Sequence, residues 1–400
     1  MNTSNYPNPF ERVTDYSKES LEKVTSKLSS DYQRKIYGYH RFGENVHYKI
    51  EESGAITESF FGIEKAVGAK KLTVFVEHNG KEINFSVPVY LPEVSNHPGG
   101  FPVIISMHPI AVKDYVLSMG YALIIMNPTH IAEDNFLRKG FFYELYPYNP
   151  KEESEQTGEL MAWGWNASKI LDALYLGAAN QFGINPDNSI ITGVSRWGKA
   201  AAVAGAFDKR FKMTVPVCSG AGGLALFRYR SEGITYDFSK VGGPSDYKYT
   251  ANEPLNCLQS TDERGWFNDA FLEFLDEGSL PVDQYDLPLL AMDEDRYYFI
   301  VASYMGEDWV NAPSMWLCYK IAKEIYKKFG LEDHIVCNMH KEGHAVIAED
   351  MKLIIAYFEK MIYKNDTDID LRKLDSSEFE NEANYEPVFD KIVKKIGILQ

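Results

Sequence analysis

The chain has 400 residues, which is more than one ordinary hydrophobic core requires, although a single domain with insertions reaches this length. Its formal net charge of −16 excludes partners that need a basic face, namely nucleic acid and anionic membrane surfaces. An acidic substrate is not excluded, because a few local cations can outweigh a distant negative field.

The first 60 residues predict an N-terminal helical extension. Residues 8 to about 40 have charges spaced for the solvent face of one or two amphipathic helices. The first seven residues lack the basic and apolar regions of a signal peptide. The sequence alone therefore leaves two options for location: a cytoplasmic protein, or an exported protein whose signal has been removed.

Between residues 61 and 365 the pattern predicts one catalytic domain. Residues 71–81 and 83–91 indicate a hairpin with an Asn-Gly turn. Apolar runs predict further strands at 101–107, 121–126, 189–193, 213–217, 298–303 and 335–339. Helices are predicted at 159–179, 199–206, 315–329 and 346–363. This alternation is typical of an α/β fold with a mostly parallel central sheet and helices on both faces.

Two segments stand apart from this alternation. Residues 224 to about 290 break the rhythm and predict an inserted lid or substrate loop. Residues 366–400 form an acidic tail, which we expect to pack on the domain and to which we assign no chemistry.

The four cysteines carry no sign of a metal site or a redox pair. They form no Cys-x-x-Cys pair and have no metal-ligand spacing: Cys218, Cys257, Cys318 and Cys337. We expect free, buried thiols, and neither a metal nor another cofactor.

The most informative segment is GVSRWGK at residues 193–199. It places Ser195 between a short β-prone run and the small-residue helix 199–206. This is the layout of a nucleophile elbow, in which a sharp strand-to-helix turn exposes the serine Oγ and backbone N–H groups face the attacked carbonyl. Trp197 stands where the second glycine of Gly-x-Ser-x-Gly usually stands, and Gly198 follows it. The pattern predicts a serine hydrolase with the α/β-hydrolase fold, a three-layer sandwich.

A serine nucleophile needs a base, which in this fold comes from a loop after the last strand. His344 lies between the predicted strand 335–339 and the predicted helix 346–363, which is the expected position. His340 lies four residues earlier, near the strand end, and His334 precedes the strand. We therefore favour His344 as the base.

The acid that orients the histidine has two candidates. Glu307 and Asp308 both follow the predicted strand 298–303, and the end of this strand is the usual place for a triad acid. Their positions alone leave both open.

Two cations, Arg196 and Lys199, follow the serine within four residues. Cations at a helix N-terminus oppose the helix dipole, so local stability would not select them there. Their presence indicates a role in the reaction.

The segments 193–199 and 205–210 resemble the glucuronoyl esterases of carbohydrate esterase family 15, whose signature is G-[C/V]-S-R-x-G-K followed by A-G-A-F-D-x-R. Further matches are Ser-Gly-Ala-Gly-Gly at 219–223, Trp-Phe at 266–267 and Asp-Trp at 308–309. The resemblance covers the chain from about residue 100 to about residue 350. It implies an enzyme that cleaves the ester between 4-O-methyl-glucuronic acid of xylan and lignin alcohols through an acyl-enzyme, without a cofactor.

The resemblance also implies roles for single residues. It makes Ser195 the nucleophile and His344 the base, with Arg196 stabilising the oxyanion. Contacts to the substrate are implied for Lys199, Trp309, Glu263 and Trp266. Glu307 lies two residues before Trp309, where mostly bacterial members carry the acid, so we favour Glu307 over the alternative acid Asp308.

Two departures from the family pattern point to a bacterial-type member. Many members carry the acid just before the Ser-Gly-x-Gly-Gly run, where this chain has Cys218, and a thiol cannot serve as the orienting carboxylate. Val194 stands where many fungal members have a cysteine. The disulfide that joins their serine and histidine loops is therefore not expected.

Two other functions stay open at this stage. One is an acetyl-xylan esterase or another α/β-hydrolase carboxylesterase, since one scaffold hosts many reactions. The other is a carbohydrate-binding pseudo-enzyme, which Cys218 and the 14% aromatic content favour. By resemblance, the partner is glucuronoxylan joined to lignin and the location is extracellular. We also expect a monomer.

Overall fold

A nine-stranded sheet organises the residues that the computed structural model describes. These are residues 6–11, 15–60, 63–94, 97–110, 112–229, 235–237, 248–250, 253, 255–260, 262–304, 310–376, 389–390 and 393–394. The strands are β1 Asn45–Phe60, β2 Ile63–His78, β3 Lys81–Tyr90, β4 Phe101–Ser106, β5 Ala122–Ile125, β6 Ile184–Val194, β7 Met213–Val217, β8 Thr235–Asp237, β9 Lys248–Thr250, β10 Tyr297–Ser303 and β11 Ile335–His340. The helices are α1 Lys18–Tyr32, α2 Lys113–Ser118, α3 Phe141–Leu145, α4 Glu159–Ala173, α5 Ala179–Phe182, α6 Arg196–Phe207, α7 Leu255–Ser260, α8 Leu287–Leu290, α9 Ala312–Lys328 and α10 Ala348–Phe358.

The sheet order is β1-β2-β3-β5-β4-β6-β7-β10-β11. The first three pairings, from β1 to β5, are antiparallel, and all later pairings are parallel. The predicted hairpin is confirmed, because Asn79 and Gly80 turn from β2 to β3 with φ of 51° and 75°. Since β6, β7, β10 and β11 are parallel, the loops that follow them meet at one edge of the sheet.

Helices cover both faces of this sheet, as the sequence predicts. α1, α4, α6, α8 and α9 pack on one face around large buried side chains such as Trp163 and Trp316. α2 and α10 pack on the other face around Val116 and Ile354. The central strands are apolar on both sides because each side meets a helical layer.

The prediction of a helical extension over residues 1–60 is wrong for its last part. Residues 45–60 form β1, which pairs with β2 along its length at the edge of the sheet. The helical part ends with α1 and one further turn to Tyr37. Val46 and Tyr48 alternate with polar residues at period two, which suits a strand with one face on the core.

The segment between β7 and β10 adds no strand to the main sheet in its described parts. It contains the two-stranded ribbon of β8 and β9 and the short helices α7 and α8. In the tail, Asp375 binds Lys323 of α9, and Val393 is buried in the core. None of the described helices is both long and apolar enough to cross a membrane.

A buried ion pair fastens the start of β1 to α4. The side chains of Lys169 and Glu44 are 3% and 0% exposed, and their charged atoms are 2.8 Å apart. Glu44 also accepts hydrogen bonds from Trp165 Nε1 and the Tyr146 hydroxyl. Burial by itself raises the pKa of Glu44, but the Lys169 charge and these hydrogen bonds lower it to about 2.

We expect Glu44→Gln to reduce the free energy of unfolding by about 2 kcal/mol. The loss stays below that of an isolated buried charge because Lys169 retains a second ion-pair partner in the variant, Asp172 at 2.5 Å. Urea unfolding at pH 7 measures this, and the difference from wild type should shrink as the pH falls from about 4.5 towards about 2, where the carboxylate is protonated.

The matched control is Glu19→Gln, which breaks the exposed pair of Lys23 and Glu19, with side chains 71% and 77% exposed. It should leave the unfolding free energy close to that of wild type, because solvent screens an exposed pair. Equal losses in the two variants would contradict a special contribution from the buried pair.

Candidate active site

Ser195 occupies a sharp turn between β6 and α6. Its backbone has φ 64° and ψ −129°, a conformation that L-residues rarely adopt. The turn is fixed by the Ser195 N–H, which donates to the carbonyl oxygen of Val217 in β7 at 2.9 Å. The side chain remains partly exposed at the edge of the sheet. This is the strained strand-turn-helix geometry of a nucleophile elbow.

Two glycines allow this turn. A Cβ at Gly193 would overlap the carbonyl oxygen of Trp197, and a Cβ at Gly198 would lie 2.5 Å from the carbonyl oxygen of Val217. The close approach of helix to strand therefore falls at Gly198, one residue later than in the usual motif. This explains why the Trp197 position tolerates a side chain.

Lys199 lies in the first turn of α6 and is buried, with its side chain 2% exposed. Its Nζ donates to the carbonyl oxygen of Ser219 at 2.7 Å and to Glu253 Oε2 at 2.8 Å. Glu253 Oε2 also accepts from the Ala221 N–H at 3.0 Å. Lys199 thus joins α6 to the loop after β7 and to the inserted segment.

Arg196 is more accessible, with a side chain 40% exposed. Its Nη1 forms an ion pair with Asp134 Oδ2, and the other carboxylate oxygen accepts from Trp266 Nε1 at 2.9 Å. Arg196 and Lys199 lie 5.3 and 5.2 Å from the centre of the Trp266 ring. The indole is therefore the common neighbour of both cations.

Trp266 is itself only 2% exposed, so its ring does not offer an open face to a sugar. Arg138 holds the backbone on both sides of it, by donating to the carbonyl oxygens of Gly265 and Phe267. Glu159, at the start of α4, packs so closely on Gly265 that a Cβ there would overlap its carboxyl. The structure thus makes Trp266 a buried support for the cations.

Glu263 lies in the same cluster and belongs to the inserted segment. The Cys257 thiol donates to its Oε2 at 3.6 Å. Burial raises the pKa of Glu263 to about 7, the Glu253 carboxylate adds to this increase, and Lys199 and Arg196 oppose it. Near neutral pH this carboxyl can therefore serve as a hydrogen-bond donor or acceptor.

His344 lies on the loop between β11 and α10, as predicted, and is partly exposed. The preceding Gly343 donates its N–H to Ser303 Oγ at 3.2 Å. Ser303 is the last residue of β10, which pairs with β7, and β7 pairs with β6. The loop of His344 is thereby tied to the sheet edge where Ser195 lies.

The competing histidines have other contacts. His340 accepts a hydrogen bond at Nδ1 from the Glu342 N–H at 3.1 Å, and its Nε2 lies 3.4 Å from Asp350. Asp350 also accepts from the Ile347 N–H at 2.8 Å, so this pair fixes the two ends of the loop. His334 lies before β11, at the opposite end of the strand, and stacks on Tyr297.

The predicted acids Glu307 and Asp308 and the predicted sugar contact Trp309 lie outside the described residues. The flanking residues are described: Tyr304 follows β10, and Val310 packs beside Gly220, where a Cβ would lie 3.3 Å from Val310 Cγ1.

Cys218, at the end of β7, is buried with φ 46°. All four cysteines are buried and none forms a disulfide, as predicted. No cluster of three or more potential metal ligands occurs within the described part of the chain.

Comparison with known proteins decides the family. A profile described as "Glucuronyl esterase, fungi" matches residues 74–330, more than half of the chain. The chain belongs to the glucuronoyl esterase family. The family and the α/β-hydrolase fold expected from the sequence are therefore confirmed.

Solved structures of glucuronoyl esterases agree with this assignment. A carbohydrate esterase family 15 glucuronoyl esterase from Caldicellulosiruptor kristjansonii is 31% identical, with a TM-score of 0.77 and 94% of each chain covered. The glucuronoyl esterase catalytic domain from Hypocrea jecorina is 27% identical, with a TM-score of 0.66, and the match covers 88% of this chain and 86% of that one. The bacterial relative supports the predicted bacterial type.

The curated relatives are longer than this chain. A "Multidomain esterase" from Ruminococcus flavefaciens is 43% identical over 398 residues, which cover 97% of this chain and 50% of that protein. A 4-O-methyl-glucuronoyl methylesterase from Podospora anserina is 30% identical over 290 residues, covering 70% of this chain and 52% of that protein. The chain spans about half the length of these two relatives.

Three residues near the Ser195 turn could not be identified from the sequence. Asp134 and Glu253 lie in irregular segments without a motif, far along the chain from the cations they bind. Glu159 begins α4, where an acid is ordinary because it suits the helix dipole. Only its full burial marks it as unusual.

We expect the Glu159→Gln variant to gain stability relative to wild type when the pH is raised from 5 to 8. Burial raises the pKa of Glu159 to about 9, Arg138 opposes this increase and Asp134 adds to it. Between about pH 4.5 and 9 the unfolded chain releases a proton that the folded chain keeps, so wild-type stability falls as pH rises. The glutamine variant lacks this loss, and its advantage at pH 8 should be about 1–3 kcal/mol in urea unfolding.

The exposed Glu294→Gln serves as the control and should show no such pH-dependent difference. A Glu159→Gln variant that tracks wild type at both pH values would mean that the carboxyl ionises normally.

Proposed function

We propose that this chain is a serine esterase that hydrolyses the ester between (4-O-methyl-)glucuronic acid of glucuronoxylan and lignin alcohols. The observation that carries the proposal is the Ser195 turn with φ 64°, followed at once by Arg196 and Lys199. A partly exposed, strained serine beside two cations suits an ester whose acyl part is an acidic sugar. Relatives that are named glucuronoyl esterases support the same substrate class.

In the proposed reaction, Ser195 Oγ attacks the carbonyl carbon of the uronate ester while its proton passes to His344. The bond to the alcohol then breaks, and the alcohol leaves with that proton. Water, which gives a proton to His344, attacks the glucuronoyl ester on Ser195. The acyl bond to Ser195 Oγ breaks, His344 returns its proton to that oxygen, and glucuronic acid is released.

The negative charge on the carbonyl oxygen needs donors at the start of α6. The N–H of Arg196 follows the nucleophile, the usual position of an oxyanion donor. The Arg196 guanidinium is partly exposed and adds a positive charge nearby. A fixed donor of this kind contributes a few kcal/mol to the transition state, about 3–4 in measured cases.

Glu307 is our proposal for the acid that orients His344. Its support is its position after β10 in the chain and the family pattern that places an acid two residues before Trp309. Cys218 occupies the other family position and is buried as a thiol. Trp309 is proposed to contact the uronate.

The remaining substrate contacts are proposed for Lys199 and Glu263. Lys199 Nζ has three donors, two of which bind Ser219 and Glu253. We propose that the third binds a sugar hydroxyl, although the side chain is only 2% exposed. Trp266 acts indirectly, since its buried ring supports the cations. A polymeric plant-wall substrate also implies an extracellular protein, and we propose that it acts as a monomer.

We expect wild type to cleave benzyl glucuronate faster than benzyl galacturonate or a matched acetyl ester, measured as kcat/KM. Ser195→Ala should retain less than about a hundredth of this activity, since removal of a triad member typically costs far more. His344→Gln should lose activity to a similar degree.

His334→Gln is the matched histidine control and should keep wild-type activity. Preference for the acetyl ester would retain the serine esterase but replace the substrate. Full activity of Ser195→Ala would exclude the nucleophile, and binding of glucuronoxylan without hydrolysis of any ester would favour a pseudo-enzyme.

We expect Glu307→Gln to lower kcat at least about tenfold more than Asp308→Asn, because a neutral side chain no longer holds His344 in its reactive tautomer. Steady-state kinetics on benzyl glucuronate, with circular dichroism to verify folding, checks this ranking. The reverse ranking would assign the acid to Asp308.

A further inference from the structure

Each cation beside the nucleophile has a carboxylate of its own. Arg196 pairs with Asp134, and Lys199 pairs with Glu253. In both pairs the carboxylate comes from a segment far from α6 in sequence, so local helix stability does not explain the pairing. The folded chain brings two negative charges to two positive ones.

These carboxylates are held in place by second contacts. Asp134 uses its other oxygen to accept from Trp266 Nε1 at 2.9 Å. Trp266 is buried, and Arg138 fixes the backbone on both sides of it. Asp134 therefore cannot follow the guanidinium if a ligand pulls it away, and the ligand must compete with a fixed counter-ion.

This matters because the reaction changes the charge of its substrate. The ester group is neutral, whereas the acid released at neutral pH is a carboxylate. An uncompensated guanidinium would attract this product more strongly than the ester, and the product would occupy the site. A fixed negative charge beside the guanidinium weakens its attraction for the anionic product more than its interaction with the neutral ester.

We propose that Asp134 is a specificity-determining residue that keeps the site selective for the neutral ester over its anionic product. The proposal rests on the proposed function, because it takes a uronate ester as substrate. Asp134 provides this selectivity as the fixed counter-ion of Arg196. The oxyanion depends less on Arg196 than the product does, since it also receives backbone N–H groups.

The test is inhibition of benzyl glucuronate hydrolysis by glucuronate and by uncharged glucuronamide. Asp134→Asn keeps the shape of the side chain and the acceptor for Trp266 but removes the charge. We expect the inhibition constant of glucuronate to fall about tenfold and that of glucuronamide to stay within about twofold. An unchanged or weaker affinity for glucuronate, or equal tightening for both ligands, would overturn the proposal.

Asp172→Asn is the matched control. Asp172 pairs with Arg210, near the other end of α6, and also with Lys169. The side chains of Asp172 and Arg210 are 20% and 31% exposed, compared with 24% and 40% for Asp134 and Arg196. It should leave both inhibition constants unchanged. A fall in the glucuronate constant in this variant too would show a long-range effect of net charge and contradict a specific role for Asp134.

Wild type provides a second test that does not depend on the folding of a variant. By calorimetry, it should bind glucuronamide at least as tightly as glucuronate, and tenfold tighter binding of the anion would overturn the proposal. The proposed function fails separately, if wild type does not hydrolyse benzyl glucuronate. The calorimetric comparison still measures the charge preference in that case.

Discussion

The turn at Ser195 depends on one steric constraint, the close approach of α6 to the ends of β6 and β7. Gly193 and Gly198 allow it, because a side chain at either position would collide with backbone carbonyl oxygens. The Ser195 N–H then reaches Val217, which fixes the positive φ. The same approach aims the first turn of α6 at the sheet edge. Arg196 and Lys199 are therefore placed beside the serine by the geometry that exposes it.

Cations at the start of a helix are locally unfavourable, and the fold offsets this with distant carboxylates. Lys199 is buried deeply enough that it requires a partner, and Glu253 is that partner. Arg196 is partly exposed and could stay solvated, yet it also has an ion-pair partner, Asp134. Burial accounts for the first pair but not for the second. This difference is the reason to connect Asp134 with ligand charge rather than with folding alone.

Those features of the sequence that are periodic or local could be predicted. The buried strands are short apolar runs, and the elbow is a contiguous motif whose strand and helix neighbours are visible beside it. The position of His344 follows from the chain order of this fold. The strand at residues 45–60 is hard to recognise in the sequence, because an edge strand carries only a weak alternation among many polar residues. The roles of Asp134 and Glu253 could not be predicted, since each residue contacts a cation that lies more than 50 residues away in the chain. Trp266 was found, but only the structure reveals that its ring is buried beneath the cations.

The inserted segment between β7 and β10 supplies part of the cluster of residues around Arg196 and Lys199. It supplies Glu253, Glu263 and Trp266, all of which contact or electrically influence the two cations that α6 supplies. The elbow itself is chemistry that many α/β hydrolases share, and it does not select an acyl group. Under the proposed function, selectivity comes from groups that interact with the charge and shape of the acyl part. In the described residues these groups are divided between α6, the Asp134 loop and the insertion. A change in the insertion can therefore alter the surroundings of the two cations while the turn at Ser195 is retained.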